Sequence, residues 1–560
     1  MAQGCSLLPV VNVTTSLLNK FFPGKDLAEL IDFLPYIGLD IEGIDQEVLR
    51  VEYNPNRPDF ASAYGIVRAL KGILAFETGI PKFRLLMNSI YKINVESSVK
   101  EIRPIIVSLV AKKGDVHDNE AIKQLISMQE DLHDGIGRRR KKASIGIHDL
   151  ESIKFPITYK TVSDDFSFVP LGELSSNTIK QILNEFDIGR QYRHILENSN
   201  RYPIIVDEAN NILSLPPIIN GNVTKVTPET NNLFIEITAN NQKAADDILA
   251  ILAITLHDIG FEIHSVSINS SGVIQVTPRM NTLSIDVSVS YINSMLGLEL
   301  TKNDIVCFLK KSRLDAYPAD KDTITCIIPR YRTDILHAID IVEEVAIGYG
   351  IYNLKPRMSA WTSIGQKSSL SIYFDIIRRT LAGLNMLEVV NFSLVNKKSQ
   401  YELIGLKTPD NILSVDATKS RDHELLRASM IPSLLQSLSH NVHWQYPQRL
   451  FEIGKIFHLE NTIKESWCLA AVTAHNNADF TEIKSIMQTF LKIAFNKDKE
   501  IFSQENANPF FIEGRSAKVV LDKKSLVGMI GEITPLAIDN FKIRVPVSAF
   551  ELNLSQLLGI

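Results

Sequence analysis

The sequence predicts a multidomain α+β protein, on three observations. At 560 residues the chain is too long for one hydrophobic core. In its first two thirds, short strand-like apolar runs alternate with runs of helical period. From residue 353 onward strand-like runs dominate and helices lie between them, the pattern of an antiparallel sheet with flanking helices. Hydrophobic residues make up 45% of the chain, enough for sizeable cores.

Residues 1–85 read as a small α+β unit. VVNVTT is a strand, Asp26 to Leu34 a short helix, and Asp59 is placed to N-cap a helix carrying Ile66, Val67, Leu70, Ile73 and Leu74. NPNRPD is a loop because Pro55 and Pro58 forbid regular structure. Asn56 and Arg57 read there as parts of a helix entry, with ligand binding as the alternative. Residues 86–270 form one mixed α/β domain with strands at 104–111, 202–208 and 233–239. NQKAADDILAILAITLHDIG is its amphipathic helix, ended by Gly260. Residues 275–352 form a third, small α/β unit. SIDVSVSYINSML passes from strand to helix, Thr301 caps TKNDIVCFLKK, and TITCIIPRYR is a strand leading into another helix. In 353–560 the strands are EVVNFSLV, RLFEIGKIF, SWCLAAVTA, SAKVVLD, LVGMIGEI and VSAFELNL, with SLSIYFDIIRRTLAGL and FTEIKSIMQTFLKIAF as helices.

The net charge of −5 argues against a wholly basic nucleic-acid binder but leaves room for a local patch. One such patch is GRRRKK at 137–142, with five consecutive cations. It is either a solvated surface or a contact for nucleic-acid phosphates. Cys5, Cys307, Cys326 and Cys468 are scattered, so neither a zinc site nor a disulfide framework is expected, and a reducing cytoplasm fits. The chain has no apolar run long enough to span a membrane. Its first residues lack a basic n-region and read as the start of a strand.

The most informative stretch is YRTDILHAIDIVEEVAIGYG, from Tyr331 to Gly350. Ile335, Ala338, Ile339, Val342, Val345 and Ala346 form an apolar stripe at helical period. Asp340, Glu343 and Glu344 share another face, where like charges destabilise a bare helix. Asp334 occupies an N-cap position, and Gly348 and Gly350 are placed to end the helix. Four carboxylates offer hard oxygens to Mg²⁺. Two other readings stay open: a solvated acidic face, or ion pairs with Arg330 or Arg332 and no metal. LPPIING at 215–221 is a proline-stiffened turn ending in Asn220 and Gly221, where a missing Cβ lets a ligand approach the backbone. A tight structural turn is the alternative.

IIPRYR and the run after it, EYNPNRPDFASAYGIVRAL (52–70), GRRRKKASIGIHDL (137–150), LPPIING (215–221), LLRASMIPSLLQSLSHN (425–441), RLFEIGKIF (449–457), FIEGRSA (511–517) and VGMIGEITP (527–535) span nearly the whole chain. They resemble, in the family's order, the β subunit of phenylalanyl-tRNA synthetase in its short archaeal and eukaryotic form.

The resemblance implies an (αβ)₂ heterotetramer in the cytoplasm that joins Phe to its tRNA using ATP. Adenylation then belongs to the α subunit, and this chain supplies most of the interface. It implies that 86–270 edits mischarged Tyr-tRNA, with Glu130, His133, Arg138, His148, Asn220 and Gly221 as candidate contacts. Asp334, Asp340, Glu343 and Glu344 match the family's Mg²⁺ site, shared with α. Residues 353–560 resemble a class II synthetase core that is catalytically retired. Arg449 and Glu452 lie on its strand motif, but the second ATP motif, GxGxxR, is missing, since GMIGEITP lacks the arginine. The end at Ile560 implies no C-terminal anticodon-binding extension. The rival functions are a stand-alone trans-editing hydrolase and a non-enzymatic, synthetase-derived scaffold.

Overall fold

A computed structural model describes residues 8–45, 47–113, 119–197, 199–227, 229–356, 358, 364–416, 420, 422–495, 501–502, 508–521 and 525–559. The chain forms two compact units, Met1–Met358 and Ser359–Ile560. Several separate sheets with helices make this a mixed α+β architecture. Cys5 lies outside the described residues. No described helix is long and apolar enough to cross a membrane.

The first unit opens on a three-stranded antiparallel sheet with Val48–Tyr53 between Val10–Thr14 and Leu39–Asp45. Asp26 caps Leu27–Phe33 by accepting from the Ala28 amide at 3.2 Å. The next helix, Ala63–Ile73, is capped by Ser62 rather than Asp59. Asp59 instead sits buried in the 3₁₀ turn Pro58–Phe60, where Arg57 holds both carboxylate oxygens at 2.9 Å. A cap needs a carboxylate free to turn onto the helix amides, and this one is already paired.

An eleven-stranded sheet follows. Next to one edge of it, Leu233–Ala239 pairs with Ile105–Lys113 on its inner side and with the edge strand Ala143–Asp149 on the other. The helix Gln242–Ile259 lies on this sheet and ends at Gly260, whose φ of +113° suits glycine alone. It is not amphipathic in effect, since every residue from Ala244 to Leu256 is buried. The sheet covers one side and the Ala63–Ile73 helix covers another.

Thr323–Ile328 then centres a three-stranded sheet, with Leu283–Ser288 and Asp315–Pro318 as edges. Thr301 and Asp304 cap Lys302–Lys311 reciprocally. The helix of the most informative stretch is Ala338–Tyr349, beginning later than Asp334 would place it. Asp340 Oδ2 accepts from the Leu336 and His337 amides, each at 2.7 Å, and serves that helix end. The buried face is Ile341, Val342, Val345 and Gly348, so Ile339 of the expected stripe points outward at 42% exposure. Gly350 ends the helix, whereas Gly348 lies inside it.

In the second unit, Gln448–Leu459, Ile463–Ala474, Val547–Asn553, Ser525–Ile533 and Phe511–Leu521 form the body of a seven-stranded sheet. It is antiparallel except where Leu387–Glu388 joins Gln448–Leu459 in parallel. Alternate residues face opposite sides: Phe451, Leu469 and Phe550 pack with the helices Ser369–Gly383 and Phe480–Phe495, while Leu450, Cys468 and Ala549 pack with Ile431–His440. EVVNFSLV is not one strand. It splits into Leu387–Glu388 and Leu394–Val395, which pair in different sheets, and Val390 and Phe392 between them are exposed.

A Cβ on Gly348 would stand 2.1 Å from the Phe308 carbonyl oxygen. Gly→Ala inside an exposed helix stabilises by about 1 kcal/mol. Here the sign reverses: Gly348→Ala is expected to destabilise the first unit by about 2 kcal/mol or more, read as a lower melting temperature.

Candidate functional site

A cavity of about 530 Å³ opens between the helix Asn119–Asp134, the strand Ala143–Asp149 and the turn at 215–220. Glu236 reaches it from the middle of Leu233–Ala239 and is 2% exposed. Ser214 Oγ donates to Glu236 Oε1 at 3.0 Å. Among the described residues Glu236 Oε2 has no hydrogen-bond partner, nor does the nearby His148 Nε2, 3.9 Å from Oε1. Gly146 stands opposite Glu236 in the register. A Cβ there would lie 2.4 Å from Glu236 Oε1 and 2.7 Å from His148 Nε2, so glycine keeps the space around these groups open. Buried polar atoms without partners are rare because each forfeits its hydration.

Of the residues singled out from sequence, Glu130, His133 and Asn220 line this cavity. Both His133 ring nitrogens are engaged: Nε2 accepts from the Ile145 amide at 2.8 Å and Nδ1 faces Glu130 Oε1 at 3.2 Å. Burial holds the imidazole below its usual pKa, so it stays neutral and braces the wall. Glu130 is held below the usual carboxylate range by its hydrogen bond from His133, with Arg140 adding to the effect. The Asn220 amide donates to the Ile147 carbonyl at 3.3 Å.

The other three stand apart. His148 is fully buried, with Nδ1 2.8 Å from Thr224 Oγ1. Arg138 lines a neighbouring cavity with Asp131 and Asp134. The space a Gly221 side chain would fill belongs to the Ile212 carbonyl, 2.0 Å from an ideal Cβ, so this glycine answers to strand packing and not to a ligand. Glu236 and Ser214 escaped the sequence reading, and Arg140 entered it only as part of the basic run 137–142. Glu236 carried a usable signal, as the single charge in the apolar run LFIEITA.

The basic run is not uniformly solvated. Arg138, Arg139 and Arg140 are consecutive left-handed residues, with φ of 51°, 51° and 64°. That conformation costs roughly 1–2 kcal/mol per residue. Arg103, fully buried, holds the turn by donating to the Arg140 carbonyl at 3.1 Å and the Thr238 carbonyl at 2.7 Å. The Arg140 side chain then donates to Glu130 Oε1 at 3.1 Å and to the Ile218 carbonyl at 3.0 Å, and packs over Tyr192. It ties two cavity walls together. Arg138, Arg139, Lys141 and Lys142 remain exposed.

The four carboxylates near the Ala338–Tyr349 helix do not gather around one point. Among the described residues no group of three or more His, Cys, Asp or Glu side chains is disposed to hold a metal ion. Arg332 explains this. It donates to both Asp334 oxygens, at 2.9 and 2.7 Å, and also to Glu344 Oε1. Burial alone would lower the Arg332 pKa, but Glu344 and Asp334 push it well above its ordinary value. Arg330 pairs elsewhere, with Asp247 at 2.7 Å. Asp340 uses one oxygen on backbone amides. Among the described residues none pairs with Glu343, and its pKa is raised by partial burial and by the charges of Glu344, Asp340 and Asp334. Hard oxygens therefore remain on Asp340 and Glu343, enough for Mg²⁺, which takes one or two carboxylates and keeps its other waters.

In the second unit both residues of the strand motif have partners within the fold. Arg449 pairs with Glu482 at 2.7 Å, and buried Glu452 pairs with buried Arg427 at 2.6 Å.

Removing Arg332 strands buried Glu344 and half-buried Asp334. Arg332→Met is expected to destabilise the first unit by about 3–5 kcal/mol in a denaturant titration. Adding Asp334→Asn and Glu344→Gln should recover most of that loss. A single variant as stable as the parent would refute the pairing.

Three family profiles match the chain: the B3/4 domain over 135–249, the tRNA synthetase B5 domain over 285–351, and the phenylalanyl tRNA synthetase beta chain CLM domain over 355–554. The phenylalanine–tRNA ligase β subunit of Archaeoglobus fulgidus is 37% identical over 550 residues, 98% of each chain. That of Methanococcoides burtonii is 36% identical over 533 residues, 95% of this chain and 97% of the relative. A crystal structure of an N-terminal fragment of the phenylalanyl-tRNA synthetase β subunit from Pyrococcus horikoshii is similar at a TM-score of 0.58 and 31% identity, over 61% of this chain and 99% of the fragment. Matched along almost its entire length, the chain belongs to the family of phenylalanine–tRNA ligase β subunits.

Proposed function

We propose that the chain works as the β subunit of a cytoplasmic (αβ)₂ phenylalanine–tRNA ligase, and that its 530 Å³ cavity hydrolyses tyrosine wrongly esterified to the tRNA. The observation that carries the editing reading is the vacant acceptor on Glu236, buried in the cavity wall. A phenol hydroxyl supplies the missing donor. A phenylalanine ring cannot, and would leave the carboxyl both desolvated and unpaired. Sites built on a substrate hydroxyl reject the analogue lacking it by about 10⁴–10⁵. The apolar lining, including Leu125, Ile126 and Ile219, suits an aromatic ring. Water is the attacking group in this reading. The Asn220 amide and the Arg140 guanidinium are donors in the cavity lining, and in this reading they meet the charge that develops on the ester. Exposed Arg138, Arg139, Lys141 and Lys142 offer the acceptor strand's phosphates a salt-dependent contact.

Adenylation falls to the α subunit in this reading. The absence of GxGxxR, and the pairing of Arg449 and Glu452 inside the fold, support a second unit that is a class II core reduced to a packing surface. Asp340 and Glu343 would hold Mg²⁺, with Asp334 and Glu344 acting through Arg332. The ion would offset the carboxylate repulsion at the helix start.

Glu236→Ala is expected to slow deacylation of Tyr-tRNA by the complex about 100-fold or more while leaving Phe-tRNA formation unchanged. Equal loss of both activities would point to misfolding and remove the support for this site.

The metal reading separates from the ion-pair reading in a Mg²⁺ titration of thermal stability. A raised carboxylate pKa means that ionised Glu343 opposes folding above the unfolded-state pKa and that protonation relieves it as pH falls. Glu343→Gln should therefore stabilise the metal-free protein at neutral pH, by up to about 0.5 kcal/mol. It should also abolish the gain that Mg²⁺ gives the parent. Coincident Mg²⁺ curves would leave only ion pairs.

A further inference from the structure

Away from the site already described, a second cavity of about 530 Å³ lies where three distant stretches of the first unit meet. The Ala63–Ile73 helix supplies Arg68 and Lys71, the end of Gln242–Ile259 supplies His257 and Asp258, and the loop after Lys302–Lys311 supplies Arg313. Segment 77–82 completes the wall with Glu77 and Lys82.

Its charges do not balance. Arg68 is paired with Asp258, while Lys71 and Arg313 share Glu77, at 2.8 and 3.2 Å. Lys82 has no ion-pair partner among the described residues, so the lining carries four permanent cations against two carboxylates, and Asp59, outside the lining, lies 3.8 Å from Arg68. Arg313 is more than nine-tenths buried, yet among the described residues its Nε has no hydrogen-bond partner. The His257 Nδ1 is likewise buried without one. Arg313 also holds a left-handed backbone, φ +62°, which a long side chain adopts only at a cost. Gly72 lets it pack close, since a Cβ there would stand 2.7 Å from Arg313 Cδ. A desolvated guanidinium with a spare donor in a cationic pocket matches the oxygens of a phosphoryl group. The remaining wall is apolar, with Phe21, Val67, Ile80 and Pro81, and the volume is that of a small-molecule site.

We propose that this junction cavity binds a small phosphorylated ligand bearing a flat ring, of the size and chemistry of a nucleoside monophosphate. The phosphoryl group sits against Arg313, Lys71 and Lys82, and the ring against Phe21 and Pro81. The proposal stands independently of the editing reading, because it shares none of that cavity's residues.

Calorimetric titration of the full chain tests it, with AMP, inorganic phosphate, adenosine and a short single-stranded RNA as separate probes. Saturable binding of AMP is expected, with weaker binding of phosphate and none of adenosine. Lys71→Ala combined with Lys82→Ala, both outside the core, should weaken AMP binding about tenfold or more, roughly 1.4 kcal/mol, at an unchanged melting temperature. Arg313→Gln should do the same, and its melting curve shows whether the fold survives. No saturable AMP binding by the folded parent would overturn the proposal. So would adenosine binding as well as AMP, an unaffected double variant, or binding of RNA without AMP.

Discussion

Seven charged side chains run in sequence through the interior of the first unit: Asp258, Arg68, Asp59, Arg57, Asp334, Arg332 and Glu344. Arg68 pairs with Asp258 and lies 3.8 Å from Asp59. Arg57 grips Asp59 and approaches Asp334 at 3.9 Å, and Arg332 closes the line onto Asp334 and Glu344. Burial alone would raise the Asp59 pKa, but Arg57, Arg332 and Arg68 bring it below its ordinary value. Charges this deep are tolerable only when paired, and each pair fixes the position of two elements. The line therefore ties the loop at 54–59, the Ala63–Ile73 helix, the end of Gln242–Ile259 and the Ala338–Tyr349 helix into one arrangement. It also determines which carboxylates stay free for other work.

That constraint explains what could and could not be read in the sequence. Caps served by their own neighbours were legible: Thr301 and Gly260 act within a few residues of where they stand. Asp59 and Asp334 looked like caps by the same logic, yet each is held by an arginine two residues earlier and by charges from other elements. Helical period found the Ala338–Tyr349 helix, and Ile335, Val342, Val345 and Ala346 of its stripe are buried, but it included exposed Ile339 and missed buried Ile341. EVVNFSLV has the composition of a strand, but composition cannot supply a continuous pairing partner.

The cavity shows the same division. Asn220 was found because it belongs to the turn LPPIING, whereas Glu130 and His133 were named only through the family resemblance. Motif and spacing did not reveal that His133 uses both nitrogens on the wall, or that Arg140 leaves the solvated run to bridge Glu130 and the Ile218 carbonyl. Glu236 was hidden for the opposite reason. A strand reading absorbs one acidic residue without comment, and only the fold shows that its second oxygen lacks a partner. The polar groups most relevant to recognition are those that local pattern explains least.

The helix Gln242–Ile259 carries a further consequence. Because the sheet covers one side of it and the Ala63–Ile73 helix another, its apolar surface is shared property of two segments far apart in the chain. A fragment cut at the edges of 86–270 would keep the cavity but lose the covering that the Ala63–Ile73 helix gives, exposing apolar surface of this helix to water. The cavity region is thus not a portable module. Grafting, permuting or expressing it separately calls for carrying the first 85 residues along, and drift at that contact has to be matched by compensating change in both segments.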